Sequence, residues 1–176
     1  MKRIILALLL ITMMAALPCT MQAKKKVNRK KATTENLVGL TPLERKIVGK
    51  HLLTLQWISW KGYGSVVIKK EADGTLSCRG GQFARDCYKA GDVDDECYTN
   101  GDYIKLDGTI EIIDETHLVF TGDIRQKIYH MNNGEEILRQ GTYNFVQKEN
   151  RHYWRMQEMT NPVDECVDYI DIYFKR

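Results

Sequence analysis

The sequence predicts an all-β fold, an antiparallel up-and-down meander of 8–10 strands that closes into a barrel behind a short N-terminal helix. Three observations lead there. Apolar and polar residues alternate with a period of two along most of the chain beyond residue 50. Turn signals such as Asp73-Gly74 and Asn132-Asn133-Gly134 recur between these runs, and strands joined by such short turns pair antiparallel. An apolar stretch near the end, Tyr169 to Phe174, matches one near the start, Leu52 to Ile58, and pairing the two leaves no open sheet edge. The same strands also fit a two-sheet sandwich if the segment from Gly80 to Gly101 acts as a crossover.

In chain order, Lys2-Arg3, the apolar run from Ile4 to Leu17 and the small, polar stretch ending at Ala23 have the layout of a secretory signal peptide, residues 1–23. The apolar run is shorter than the ~20 residues a spanning helix needs. Cys19 opens a lipoprotein alternative, although Pro18 directly before it is awkward for that processing. Residues 24–40 read as a basic linker and 41–176 as the domain. Thr41-Pro42-Leu43-Glu44 places an N-cap, a proline at the first helical position and a capping-box glutamate, predicting a helix from Pro42 to about Val48. Strands are expected at His51–Ile58, Ser65–Glu71 and Thr75–Arg79, and Gly80 to Gly101 loses periodicity and reads as a long loop.

Between Asp102 and Met131 the dipeptides Asp107-Gly108 and Gly122-Asp123, with Asp114-Glu115 between them, divide the alternation into four short strands. The central hairpin follows, Gly141 to Met159, with Lys148-Glu149-Asn150 at its turn. Cys166 to Phe174 forms the last strand.

Net charge at neutral pH is +3, but the basic excess sits in the tail, at Lys24, Lys25, Lys26, Arg29, Lys30 and Lys31. From Asn36 onward the balance is 18 basic to 22 acidic residues, so the domain lacks a nucleic-acid footprint. The tail is suited to an anionic envelope surface or, more simply, to being a solvated linker. Four cysteines remain after signal removal, and an even number in an exported chain points to two disulfides, Cys87 with Cys97 and Cys78 with Cys166.

Catalytic chemistry is hard to place. The serines Ser59, Ser65 and Ser77 lie in no nucleophile elbow, and His51, His117, His130 and His152 fall on separate strands without metal-ligand spacing. Glu158 with Asp168 or Asp171 is a conceivable acid and base pair, set against the commoner role of carboxylates matched to Arg151, Arg155 or Lys175. The acidic residues Asp92, Asp94, Asp95 and Glu96 lack the spacing of a calcium loop. No enzyme and no cofactor is expected.

Around Trp154, alternation allows two registers. Either Trp154 and Met156 point inward with Arg155 and Gln157 outside, or Tyr153, Arg155 and Gln157 line the interior as a polar patch.

The export signal, the helix before the first strand, the Gly49-Lys50 entry, the meander and a late basic residue, Arg151 or Arg155, together resemble the lipocalin-like (calycin) group of small secreted barrels. Where that group carries glycine, any residue, tryptophan, this chain has Gly49-Lys50-His51, and the nearest tryptophan is Trp57. The resemblance implies a small, largely apolar ligand inside the barrel, held by Leu53, Leu55, Trp57, Tyr143, Phe145, Trp154, Met156 and Arg155. Barrels of about eight strands hold one small ligand or fill with side chains. The second expectation is therefore an envelope interaction module with a filled interior, acting from the periplasm or the outer surface of a bacterium.

Overall fold

The computed structural model describes residues 39–88 and 95–174. The expected signal peptide, nearly all of the basic linker and the acidic residues Asp92 and Asp94 lie outside that range. The chain opens on a short helix, α1 (Pro42–Ile47), whose capping box is present: the Thr41 hydroxyl accepts the Glu44 amide at 3.1 Å and the Glu44 carboxylate accepts the Thr41 amide at 2.7 Å. Leu40, just before it, is already buried.

Eight antiparallel strands follow: β1 (Gly49–Leu55), β2 (Gly64–Lys70), β3 (Leu76–Phe83), β4 (Tyr103–Ile112), β5 (His117–Lys127), β6 (Ile137–Val146), β7 (Tyr153–Met156) and β8 (Ile170–Tyr173). They form a closed barrel in sequence order. The closing pair is the expected one, with Leu52 opposite Tyr173, Leu53 opposite Ile172, Thr54 opposite Asp171 and Leu55 opposite Ile170. The sandwich alternative is thereby excluded.

Two parts of the pattern fold differently from expectation. The stretch from Gly80 is not all loop: β3 continues through Gly80 and Gly81, paired on both sides, and through Gln82 and Phe83, paired with β4, and two short helices follow, α2 (Ala84–Cys87) and α3 (Asp95–Asn100). The four short strands between Asp102 and Met131 are two long ones. Gly108 and Gly122 are not turns but face each other in mid-strand, and Gly122 in turn faces Gly141 on β6. A Cβ on Gly122 would lie 2.4 Å from the Asp107 carbonyl, and one on Gly108 would lie 2.9 Å from the Phe120 ring. Glycine here lets the sheet coil tightly and gives Phe120 its space, a common use of glycine inside strands.

Tight turns at 71–75, 113–116 and 147–152 gather at the end of the barrel that carries α1. The long connections 56–63, 84–102, 128–136 and 157–169 gather at the other. The four cysteines are thiols, and no disulfide occurs among the described residues. For Cys78 with Cys166 the topology gives the reason. Cys78 points into the barrel between Ile68 and Gly108, five residues and about 17 Å of strand from the long-loop end, whereas Cys166 sits in the 157–169 connection at that end. Burial pushes the Cys78 thiol up to about 12. Cys87 and Cys97 both pack on the 56–63 connection, their Sγ atoms directed at the carbonyls of Gly62 and Trp57 at 3.0 and 3.4 Å.

Candidate functional site

Alternation fixes which side chains enter the barrel. Leu53, Leu55, Val66, Ile68, Ile104, Leu118, Phe120, Ile124, Phe145, Met156, Ile170 and Ile172 expose 0% of their surface, either to the exterior or to any internal void that would admit water. Phe120 is the hub, 6.4 Å from both Phe145 (edge to face) and Tyr143 (stacked). Of the residues expected to surround a ligand, Leu53, Leu55, Phe145 and Met156 belong to this packed core, and Trp154 and Tyr143, 3% and 8% exposed, pack into it.

Trp154 closes the tight-turn end, its ring 5.6 Å from His51 and 4.3 Å from Phe174, with its Nε1 donating to the Glu115 carbonyl at 3.0 Å. His51 thus packs where the lipocalin-like pattern places tryptophan, and its two ring nitrogens lie 2.6 and 2.9 Å from the carbonyls of Ile47 and Tyr173. Arg155 is not beside this ring.

The long-loop end is closed by polar groups around Asp168, which is 0% exposed. Its carboxylate accepts from Trp57 Nε1 at 2.9 Å, Asn161 Nδ2 at 3.0 Å, Gln126 Nε2 at 3.1 Å and Arg139 Nη1 at 3.3 Å. Trp57 therefore lies past the end of β1 and anchors this cap instead of lining a cavity. Arg139, on β6, shares parity with Ile137, Tyr143 and Phe145 and is an inward-facing cation, with its guanidinium 5.4 Å from the Tyr143 ring centre. Sequence reasoning passed over it, although the alternation of β6 marks it as buried. A buried pair like this is satisfied only because the surrounding amides and carbonyls complete it. Gln82 does similar work nearby, accepting the Leu55 amide at 2.6 Å and donating to the Gly62 and Ser59 carbonyls at 2.6 and 3.2 Å. Asp102 lies on the same rim, accepts the Tyr129 amide at 3.1 Å, and has its carboxyl held above the usual range by burial.

The outer wall over β7, β8 and β1 is different in kind. Trp154 and Met156 turn inward, so Tyr153, Arg155 and Gln157 face out, which corrects the placement of Arg155 as an interior ligand group. Arg155 forms a two-pronged pair with Asp171 across the strands, Nε to Oδ1 and Nη2 to Oδ2, both 2.7 Å. Asp171 is fully buried beneath it. Burial raises the Asp171 carboxyl and the Arg155 hydrogen bonds pull it back, while the same bonds hold the guanidinium above its usual value.

Aromatic rings surround the pair. The guanidinium lies 4.2 Å from the centre of the Tyr169 ring and 5.1 Å from that of Tyr153. Tyr173 sits 5.2 Å from both Tyr153 and Tyr63, and Trp60, half exposed, lies 6.3 Å from Tyr169. Glu158 is not paired with a carboxylate for acid and base work. It accepts the backbone and side-chain amides of Asn144, at 2.9 and 2.7 Å, at the point where β7 leaves β6. No cluster of His, Cys, Asp and Glu able to hold a metal occurs among the described residues. No helix among them is long and apolar enough to cross a membrane.

No solved structure matches the chain. The curated "Uncharacterized protein PM1083" of Pasteurella multocida (strain Pm70) is 37% identical over 135 residues, covering 77% of this chain and 78% of the relative. The eight-strand barrel fits the lipocalin-like expectation at the level of architecture, while a sequence model of another family matches residues 24–174, nearly all of the chain beyond the expected signal peptide. By that match and by the Pasteurella relative, the chain belongs to the PM1083 family.

Proposed function

We propose that this protein is an exported, non-enzymatic interaction module of the bacterial cell envelope, whose barrel is filled by its own side chains and whose contacts are made from the outside. The observation that carries this reading is the 0% exposure of interior residues from every strand, Phe120, Phe145 and Met156 among them. A cargo of drug size needs a site of ~300 Å³ or more, and side chains fill the space where an apolar ligand would lie. The surface groups able to engage a partner are the partly exposed tyrosines and arginines over β7 and β8 and, as a second contact, the basic tail from Lys24 to Lys31.

The test is a titration of the full-length chain, purified from expressing cells, with the neutral apolar dye N-phenyl-1-naphthylamine, alongside native mass spectrometry. The expected result is no saturable fluorescence gain and a mass without a small-molecule adduct. Stoichiometric dye uptake, or a co-purifying apolar compound, would return the reading to a cargo carrier. Deleting Lys24 to Lys31 should reduce sedimentation with envelope fractions, and unchanged partitioning removes the tail from the proposal.

A further inference from the structure

The outer wall carries a cleft of about 240 Å³ over β7, between the 147–152 turn and the start of the 157–169 connection. Lys148, Arg151, Arg155, Gln157 and Tyr169 line it together with Val146 and Met159, so three cations and no acid face the space. Neither Lys148 nor Arg151 takes part in an ion pair among the described residues. Glu149, next to Lys148 in the turn, does not line the cleft, and Glu158 is engaged by Asn144. The arginine is prepared in advance. Asp171 holds its Nε and Nη2, Tyr169 and Tyr153 hold its plane, and its side chain is only 15% exposed.

Among the described residues Nη1 has no hydrogen-bond partner and Nη2 spends one N–H on Asp171, so three of the five donors of a fixed guanidinium remain available. Asp171 is itself buried and stabilised by this contact, so it orients the cation without occupying the cleft. Little side-chain entropy remains to be lost when an oxyanion arrives, and planar donors match the oxygens of phosphate and carboxylate.

We propose that this cleft binds an oxyanion, a phosphate monoester or a carboxylate, carried on a ring that packs against the exposed part of Tyr169. Arg155 supplies the oriented donors, and Arg151 and Lys148 supply mobile charge from the turn. The cleft holds the equivalent of about eight water molecules, enough for the charged group and one ring. The proposal rests on the outer wall being the working face, but it is tested separately from the filled interior because the dye used above is uncharged.

The experiment is titration of the full-length chain with 4-nitrophenyl phosphate and with inorganic phosphate, followed by amide chemical shifts and calorimetry, and by flotation with phosphatidylglycerol or phosphatidylcholine vesicles. The expected result is saturable binding of 4-nitrophenyl phosphate with shifts centred on Arg151, Arg155 and Gln157. The double variant Lys148→Gln/Arg151→Gln, which breaks no ion pair among the described residues, should weaken it about tenfold or more. Tyr169→Leu should weaken the aromatic phosphate several-fold and leave inorganic phosphate unchanged.

Binding to phosphatidylglycerol vesicles that the double variant loses, with no soluble ligand bound, makes the oxyanion a lipid headgroup. The basic tail is common to both proteins, so only their difference counts. Shifts that map elsewhere, or equal binding by the double variant in every arm, overturn the proposal. If the neutral dye is still excluded, that failure leaves the filled barrel standing.

Discussion

Phe145→Ala is the sharpest test of a filled interior. The side chain is wholly buried, faces Leu118 on β5 and Met156 on β7, and meets the Phe120 ring edge to face at 6.4 Å. Removing a ring from such a site costs about 3–5 kcal/mol, more where the surroundings cannot collapse. Here they resist collapse, because a closed ring of hydrogen-bonded strands holds the walls apart, and the upper half of that range, about 4 kcal/mol, is expected. Against a total stability of about 5–15 kcal/mol, this leaves a folded but fragile protein.

With a urea slope of about 2 kcal/mol/M, the unfolding midpoint should drop by about 2 M. The assay is equilibrium urea unfolding followed by tryptophan fluorescence. A second reading is rescue: the new cavity is apolar and should take up benzene, raising the midpoint again. A loss below about 1 kcal/mol with no effect of benzene would mean that Phe145 already borders empty space, which refutes solid packing.

Gly122→Ala puts a methyl 2.4 Å from the Asp107 carbonyl and 2.6 Å from Gly108 Cα, and should cost roughly 1–3 kcal/mol in the same urea assay; an unchanged midpoint would show that β4 and β5 can separate there freely. Asp168→Ala strands the Arg139 cation at the capped end and should cost about 3–5 kcal/mol. Adding Arg139→Met should recover much of that loss in a double-mutant cycle, and strict additivity would deny the coupling. For Asp102, burial raises the folded-state carboxyl above its unfolded value, so the native state binds more protons between those two values and stability falls as pH rises through that window. Asp102→Asn removes this slope, and urea midpoints should show the variant gaining on the parent as pH rises above the ordinary carboxylate range; parallel profiles would contradict the shift.

The strand order, the capped first helix and the ring closure were legible because each depends on local alternation or on a turn dipeptide. Misreadings arose where a local signal served a long-range purpose. Asp107-Gly108 and Gly122-Asp123 carry hairpin chemistry, yet the glycines are needed because two strands and a phenylalanine ring meet there, and nothing within five residues reveals it. Gly80-Gly81 reads as a breaker for the same reason and continues β3. Arg139 could have been found from its parity with Ile137 and Phe145. Its partner Asp168 could not, since that residue lies in an aperiodic connection and is recognised only once the barrel brings the two together. The orientation of Arg155 follows from placing Trp154 inside, a choice that alternation narrows to two and the apolar interior decides.

Closure of the ring by its first and eighth strands has a consequence for synthesis. Leu55 leaves the ribosome about 115 residues ahead of Ile170. At about 5–20 residues per second, the leucine-rich margin of β1 waits roughly 6–23 s for the strand that will cover it. A chaperone that engages the chain in that interval would meet an incomplete sheet with one adhesive border, easier to hold unfolded than a finished ring.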